Sequence, residues 1–100
     1  MSSFPLRILT PEGPVVDAEV ETIVVTAYNG SLGVLAGHAP MIAAVVTGPG
    51  KVVQNGSTTW YVFGEGTLEV RGPDVILLVD FAEKAANYEA AKEQTAQAKA

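Results

Sequence analysis

The sequence predicts an all-β fold, a sandwich or barrel of short strands, followed by a single C-terminal helix. Three observations carry this. Gly, Pro, Asn and Asp recur at short intervals through residues 1–80 and cut the chain into apolar, β-branched runs. Asn55-Gly56 joins two of those runs, a strong hairpin signal. Residues 82–100 contain eight Ala, no Gly and no Pro, and otherwise mostly Glu, Lys and Gln, all good helix formers.

Taken in order, residues 4–10 form an apolar first strand that ends at the turn Pro11-Glu12-Gly13-Pro14. Over residues 16–26, Val16, Ala18, Val20 and then Ile23 and Val25 lie opposite Asp17, Glu19 and Glu21, and the phase slips by one at Thr22. That slip predicts a bulge or bend. Asn29-Gly30 turns into residues 31–35, and Gly37-His38-Ala39-Pro40 and Gly48-Pro49-Gly50 read as loops. Asn55-Gly56 joins residues 51–54 to 58–63. Gly64-Glu65-Gly66 bends into 67–71, and Gly72-Pro73-Asp74 turns into 75–79. Asp80 then offers an N-cap with Glu83 three residues on, and Phe81, Ala85 and Tyr88 share a helical stripe. The expected division is therefore a β domain over residues 1–81 and a helix over residues 82–100, fraying at its end because no large apolar side chain follows Tyr88.

One hundred residues of 10.4 kDa fit one core. The longest uninterrupted apolar run, residues 40–46, is too short to span a membrane, and the first residues lack the pattern of a secretory signal. There is no Cys and one His, which excludes a thiolate metal centre. The net charge is −5, and the six basic residues are scattered, so no cluster exists to neutralise phosphates. A nucleic-acid partner is excluded on that ground, and the same scarcity argues against docking on anionic lipid.

Two runs, residues 40–46 and 75–79, contain no polar residue, whereas a sheet with one wet face alternates. Three covers are open for the surplus face: the terminal helix, a second loop, or another protein. Catalytic chemistry is thin. His38 has no neighbouring nucleophile and reads as a loop or contact residue. Asp17, Glu19 and Glu21 share a strand face that reads as solvated rather than metal-binding, and Gly30-Ser31-Leu32-Gly33 lacks the Lys of a phosphate loop. No catalytic residue, metal ligand or cofactor site is assigned.

Gly30-Ser31-Leu32-Gly33-Val34-Leu35-Ala36-Gly37-His38-Ala39-Pro40 resembles the signature of the epsilon subunit of F-type ATP synthases, Gly-Glu-Leu-Gly-Ile/Val-Leu-Pro-Gly-His-Ala-Pro. Leu9-Thr10-Pro11-Glu12-Gly13, Val16-Asp17-Ala18-Glu19-Val20, Leu68-Glu69-Val70 and Val79-Asp80-Phe81-Ala82-Glu83 resemble further landmarks in the same order. The resemblance implies a flattened antiparallel β-sandwich of about ten short strands. It also implies a non-catalytic rotor subunit that binds the gamma subunit and the c-subunit ring and couples proton flow to ATP synthesis. Such a subunit sits peripherally on the cytoplasmic face of the plasma membrane, without inserting, and needs no strong homo-oligomer. By position, Thr10, His38, Met41, Ile42 and Ala43 would face gamma, and Tyr28, Asn29, Gly30, Ser31 and Leu32 would face the c-ring. A freestanding β-sandwich binding a small ligand or peptide is the alternative.

The pattern departs at Ser31, where an acid is usual, at Ala36, where Pro is usual, and at Gly64-Glu65-Gly66-Thr67, which replaces Ser-Gly-Gly-Phe. Only one short helix fits after Phe81, where the family usually has two. Relatives that bind ATP do so through an Ile/Leu-Asp-x-x-Arg-Ala motif in that region. No Arg follows Arg71 here, so no ATP binding is expected.

Overall fold

The computed structural model describes residues 2–100. Ten strands precede one helix: β1 (Phe4–Thr10), β2 (Gly13–Val20), β3 (Thr22–Ala27), β4 (Gly30–Leu35), β5 (Met41–Val45), β6 (Gly48–Gln54), β7 (Ser57–Phe63), β8 (Gly66–Arg71), β9 (Asp74–Val79), β10 (Ala82–Ala85) and α1 (Tyr88–Lys99). Hydrogen bonding runs β10-β7-β6-β3-β5-β8-β9-β1-β2, with β4 on the other side of β3. All pairs are antiparallel except β1 with β9, which is parallel. The path is thinnest at Ala27↔Val45, a single register pair between β3 and β5. There the sheet folds over, and the halves β10-β7-β6-β3-β4 and β5-β8-β9-β1-β2 enclose the core as the two layers of a flattened sandwich.

The core is supplied by alternate residues of each strand. Phe4, Leu6 and Ile8 of β1, Ile23 and Val25 of β3, Tyr61 and Phe63 of β7, Leu68 and Val70 of β8, and Val75, Leu77 and Val79 of β9 all lie in it. Tyr61 and Phe63 stack with centroids 5.1 Å apart. The phase slip at Thr22 is a break between strands rather than a bulge within one. The chain bends at Glu21 and crosses from the β1 layer to the β6 layer. The Glu21 carboxylate accepts Asn55 N–H at 3.0 Å and Gly56 N–H at 3.1 Å, tying this bend to the β6–β7 turn. Asn55 (φ 52°) and Gly56 (φ 78°) both have positive φ, as a two-residue hairpin turn of this hand requires. A true register shift does occur opposite Ile8 and Leu9, where Val15 is the extra residue of β2.

Two expectations are corrected. Gly48-Pro49-Gly50 is not a loop but the start of β6. Its glycines serve close approach: a Cβ on Gly48 would overlap the Thr26 side chain, and one on Gly50 would lie 2.5 Å from the Phe63 ring and from the Val24 carbonyl oxygen. Thr26 Oγ1 donates to the Pro49 carbonyl at 2.8 Å. Second, the helix starts at Tyr88, not at Ala82, and its N-cap is Asn87, whose side chain accepts Ala90 N–H at 2.8 Å. Residues Ala82–Ala85 pair with the open edge of β7, from Ala82↔Phe63 to Ala85↔Trp60. Phe81 likewise accepts Gly64 N–H at 2.9 Å. Pairing with a ready strand edge outweighs helix propensity over so short a stretch. Asp80 is thus no cap, Phe81 and Ala85 lie outside the helix, and the β unit reaches Ala85 rather than Phe81.

Candidate docking surfaces

The helix settles which outer face is covered. It packs on β6, β7 and β10, burying Ala91 and Thr95 and leaving Val62 fully buried between helix and sheet. Trp60 and Tyr88 meet with centroids 5.4 Å apart, with Lys51 Nζ over the indole and Lys92 Nζ over the phenol. Neither surplus run, 40–46 or 75–79, lies beneath it.

Those runs instead furnish the outer face of the other layer. The register aligns Ile42↔Glu69↔Ile76↔Arg7↔Asp17 in one row and Ala44↔Thr67↔Leu78↔Leu9↔Pro14 in the next. Ile42 is 73% and Leu78 43% exposed, values far above those of the inward residues beside them. Ile42, Ala44, Ile76, Leu78 and Leu9 therefore make an uncovered apolar patch; Arg7, Asp17 and Glu69 carry charge in the first row, Arg71, which pairs with Glu69, stands one row further out, and the second row itself carries none.

Of the residues expected to face gamma, Ile42 lies on this side of the layer, whereas Thr10 falls by alternation on the side of Ile8 at the end of β1. Thr10 is half-buried, donates to the Gly13 carbonyl at 3.1 Å and accepts Glu12 N–H at 3.2 Å, so its hydroxyl closes the β1–β2 turn. Met41 and Ala43 alternate inward, Met41 packing against the core and Ala43 standing opposite the buried Leu68. The outward neighbours of Ala43 are Ile42 and Ala44. His38 lies half-buried in the link before β5, its backbone N–H donating to the Leu35 carbonyl at 3.2 Å and its Nδ1 lying 2.7 Å from the Ala39 carbonyl oxygen.

The residues expected to face the c-ring form the β3–β4 hairpin tip. Tyr28 is 90% exposed, Asn29, Gly30 and Ser31 are exposed, and Leu32 turns back against the core. The pairs Ala27↔Val45↔Gly66↔Val79 place this tip at the same end of the sandwich as the start of β8 and the end of β9. Leu9, Ala44, Ile76 and Leu78, which share the bare face with Ile42, were not singled out by the sequence reading. The unbroken apolar runs signalled a surplus face, but such a run does not reveal which alternate residues turn out.

One face under a helix, one bare apolar face and one aromatic hairpin tip define, as a class, a β-sandwich covered on one side only. Residues 3–85 match the family model described as ATP synthase, Delta/Epsilon chain, beta-sandwich domain. The chain is 41% identical over 83 residues to the ATP synthase epsilon chain of Bacillus pumilus, covering 83% of this chain and 63% of that one. It is 35% and 34% identical over 100 residues to the epsilon chains of Anoxybacillus flavithermus and Bacillus subtilis, spanning all of this chain and 75% and 76% of theirs. In fold it is similar to a chain of the Euglena gracilis mitochondrial ATP synthase (OSCP/F1/c-ring), with TM-score 0.78, 22% identity, and coverage of 84% of this chain and 54% of that one. It is also similar to a chain of the Tetrahymena thermophila mitochondrial ATP synthase central stalk and c-ring, with TM-score 0.70, 13% identity, and coverage of 78% and 63%. The chain belongs to the ATP synthase delta/epsilon family, as an epsilon chain.

Proposed function

We propose that this chain is a non-catalytic subunit of the central stalk, joining the gamma subunit to the c-subunit ring and so coupling proton translocation to ATP synthesis. The observation that carries this reading is the bare outer face of β5, β8, β9 and β1. Ile42, Ala44, Ile76, Leu78 and Leu9 combine apolar area with few charges, the make-up of an interface core. Gamma is assigned to this face. The exposed Tyr28 tip, with Asn29, Gly30 and Ser31, is assigned to the polar loops of the c-ring. The complex holds the chain peripherally at the cytoplasmic side of the membrane; no helix among the described residues is long and apolar enough to cross it. Co-expression of the tagged chain with gamma and with the c-ring of its own complex tests the reading. Gamma should be retained through purification, and Tyr28→Ala should weaken c-ring retention while leaving gamma bound. Failure to retain gamma contradicts it.

A further inference from the structure

At the end marked by the Ala27↔Val45 pair, the bare face dips into an open cleft of about 410 Å3. Leu9, Thr67 and Leu78 form its floor, the row that runs on to Ala44. Glu65, Asp80 and Pro11 line it one step further out. The Asp80 N–H donates to the Glu65 carbonyl at 3.0 Å, so these two residues face each other just beyond the paired part of β8 and β9. Two carboxylates in that relation repel. The fold offers them no relief: the Arg71–Glu69 ion pair lies at the far end of the same strand pair, and neither Glu65 nor Asp80 meets a cation among the described residues.

An apolar floor with an unneutralised acidic lip is complementary to an apolar protein segment that carries a Lys or Arg at one end. We infer that the cleft receives such a segment of the gamma subunit, its apolar side chains on Leu9 and Leu78 and its cation between Glu65 and Asp80. This rests on the assignment of gamma to the bare face, with which the cleft is continuous, and adds the chemistry gamma must present there. The lip then fixes the register of the two subunits, because apolar contact alone permits sliding along the face. Occupation by a second copy of this chain is the competing arrangement.

Purified gamma is titrated with the whole chain at low and high salt, using wild type, Glu65→Gln/Asp80→Asn, Glu65→Lys/Asp80→Lys and Ile42→Asp. Both lip residues are exposed, so unchanged melting temperatures will show that the folds are intact. The neutral pair is expected to lose about tenfold in affinity at low salt and most of the salt dependence, and the lysine pair to lose more. Loss with Ile42→Asp but full affinity for the lysine pair at both salts overturns the cation lip and leaves the gamma face standing. Full affinity for every variant overturns both. Dimerisation of the isolated chain that the lysine pair abolishes, with gamma affinity unmoved, assigns the cleft to a second copy and overturns the inference.

Discussion

At the scale of single residues, alternation along β5 decides what each substitution does. Ala43 turns inward opposite Leu68, so Ala43→Asp brings a carboxylate to the core side with no cation to meet it, a cost of about several kcal/mol. Ile42 turns outward, and Ile42→Asp should move stability by only about 0.5 kcal/mol. Thermal melts of the isolated chain should show a large drop for the first and almost none for the second; equal drops would mean that β5 is out of register. The neighbouring pair was legible in the sequence as apolar but not as inward or outward, since a run without polar residues carries no phase. Tyr61 offers a check by pH. Burial raises its pKa above 10.0, so above pH 10.0 the unfolded chain releases the phenolic proton before the folded one does. Stability should therefore be complete below pH 10.0 and fall as the pH rises beyond it. Tyr61→Phe should flatten that alkaline decline in denaturant titrations, and an unchanged slope would assign the decline to other groups.

Among the elements, the strands were read well and the helix start poorly, for one physical reason. Turn residues such as Asn55-Gly56 and Gly72-Pro73 act locally, so they can be read from the chain. The β10 strand depends on the open edge of β7, which sits some twenty residues away and is invisible to local propensity. Gly48 and Gly50 misled in the same way: their small size answers Thr26 and Phe63 across the sheet, not a turn. The helix itself is held by Ala91 and Thr95 against the sheet and by the Trp60–Tyr88 contact, and a helix of 12 residues is marginal without such support. Ala91→Glu should release it while the sandwich stays folded. Trp60, the single tryptophan, reports this directly. Its emission should shift to the red while the strand signal in circular dichroism persists; simultaneous loss of both would show that helix and sandwich fold as one unit.

For the molecule as a whole, charge and surface point the same way. A net charge of −5, with no Arg beyond Arg71, gives little to hold a triphosphate, and calorimetric titration with millimolar ATP should show no binding. Tight ATP binding would reveal a cation set not anticipated here. The sequence displayed the family pattern and an apolar surplus, but only the ladder shows that Leu9, Ala44, Ile76 and Leu78 converge on one bare face. The coupling role assigned to that face is tested most directly by proton-driven ATP synthesis in vesicles carrying the synthase reconstituted without this chain, with wild-type chain, or with Ile42→Asp. Wild type is expected to restore synthesis, and Ile42→Asp, folded but with a charge on the face proposed for gamma, to restore little of it. Full synthesis with Ile42→Asp, or with no chain added, would contradict the account.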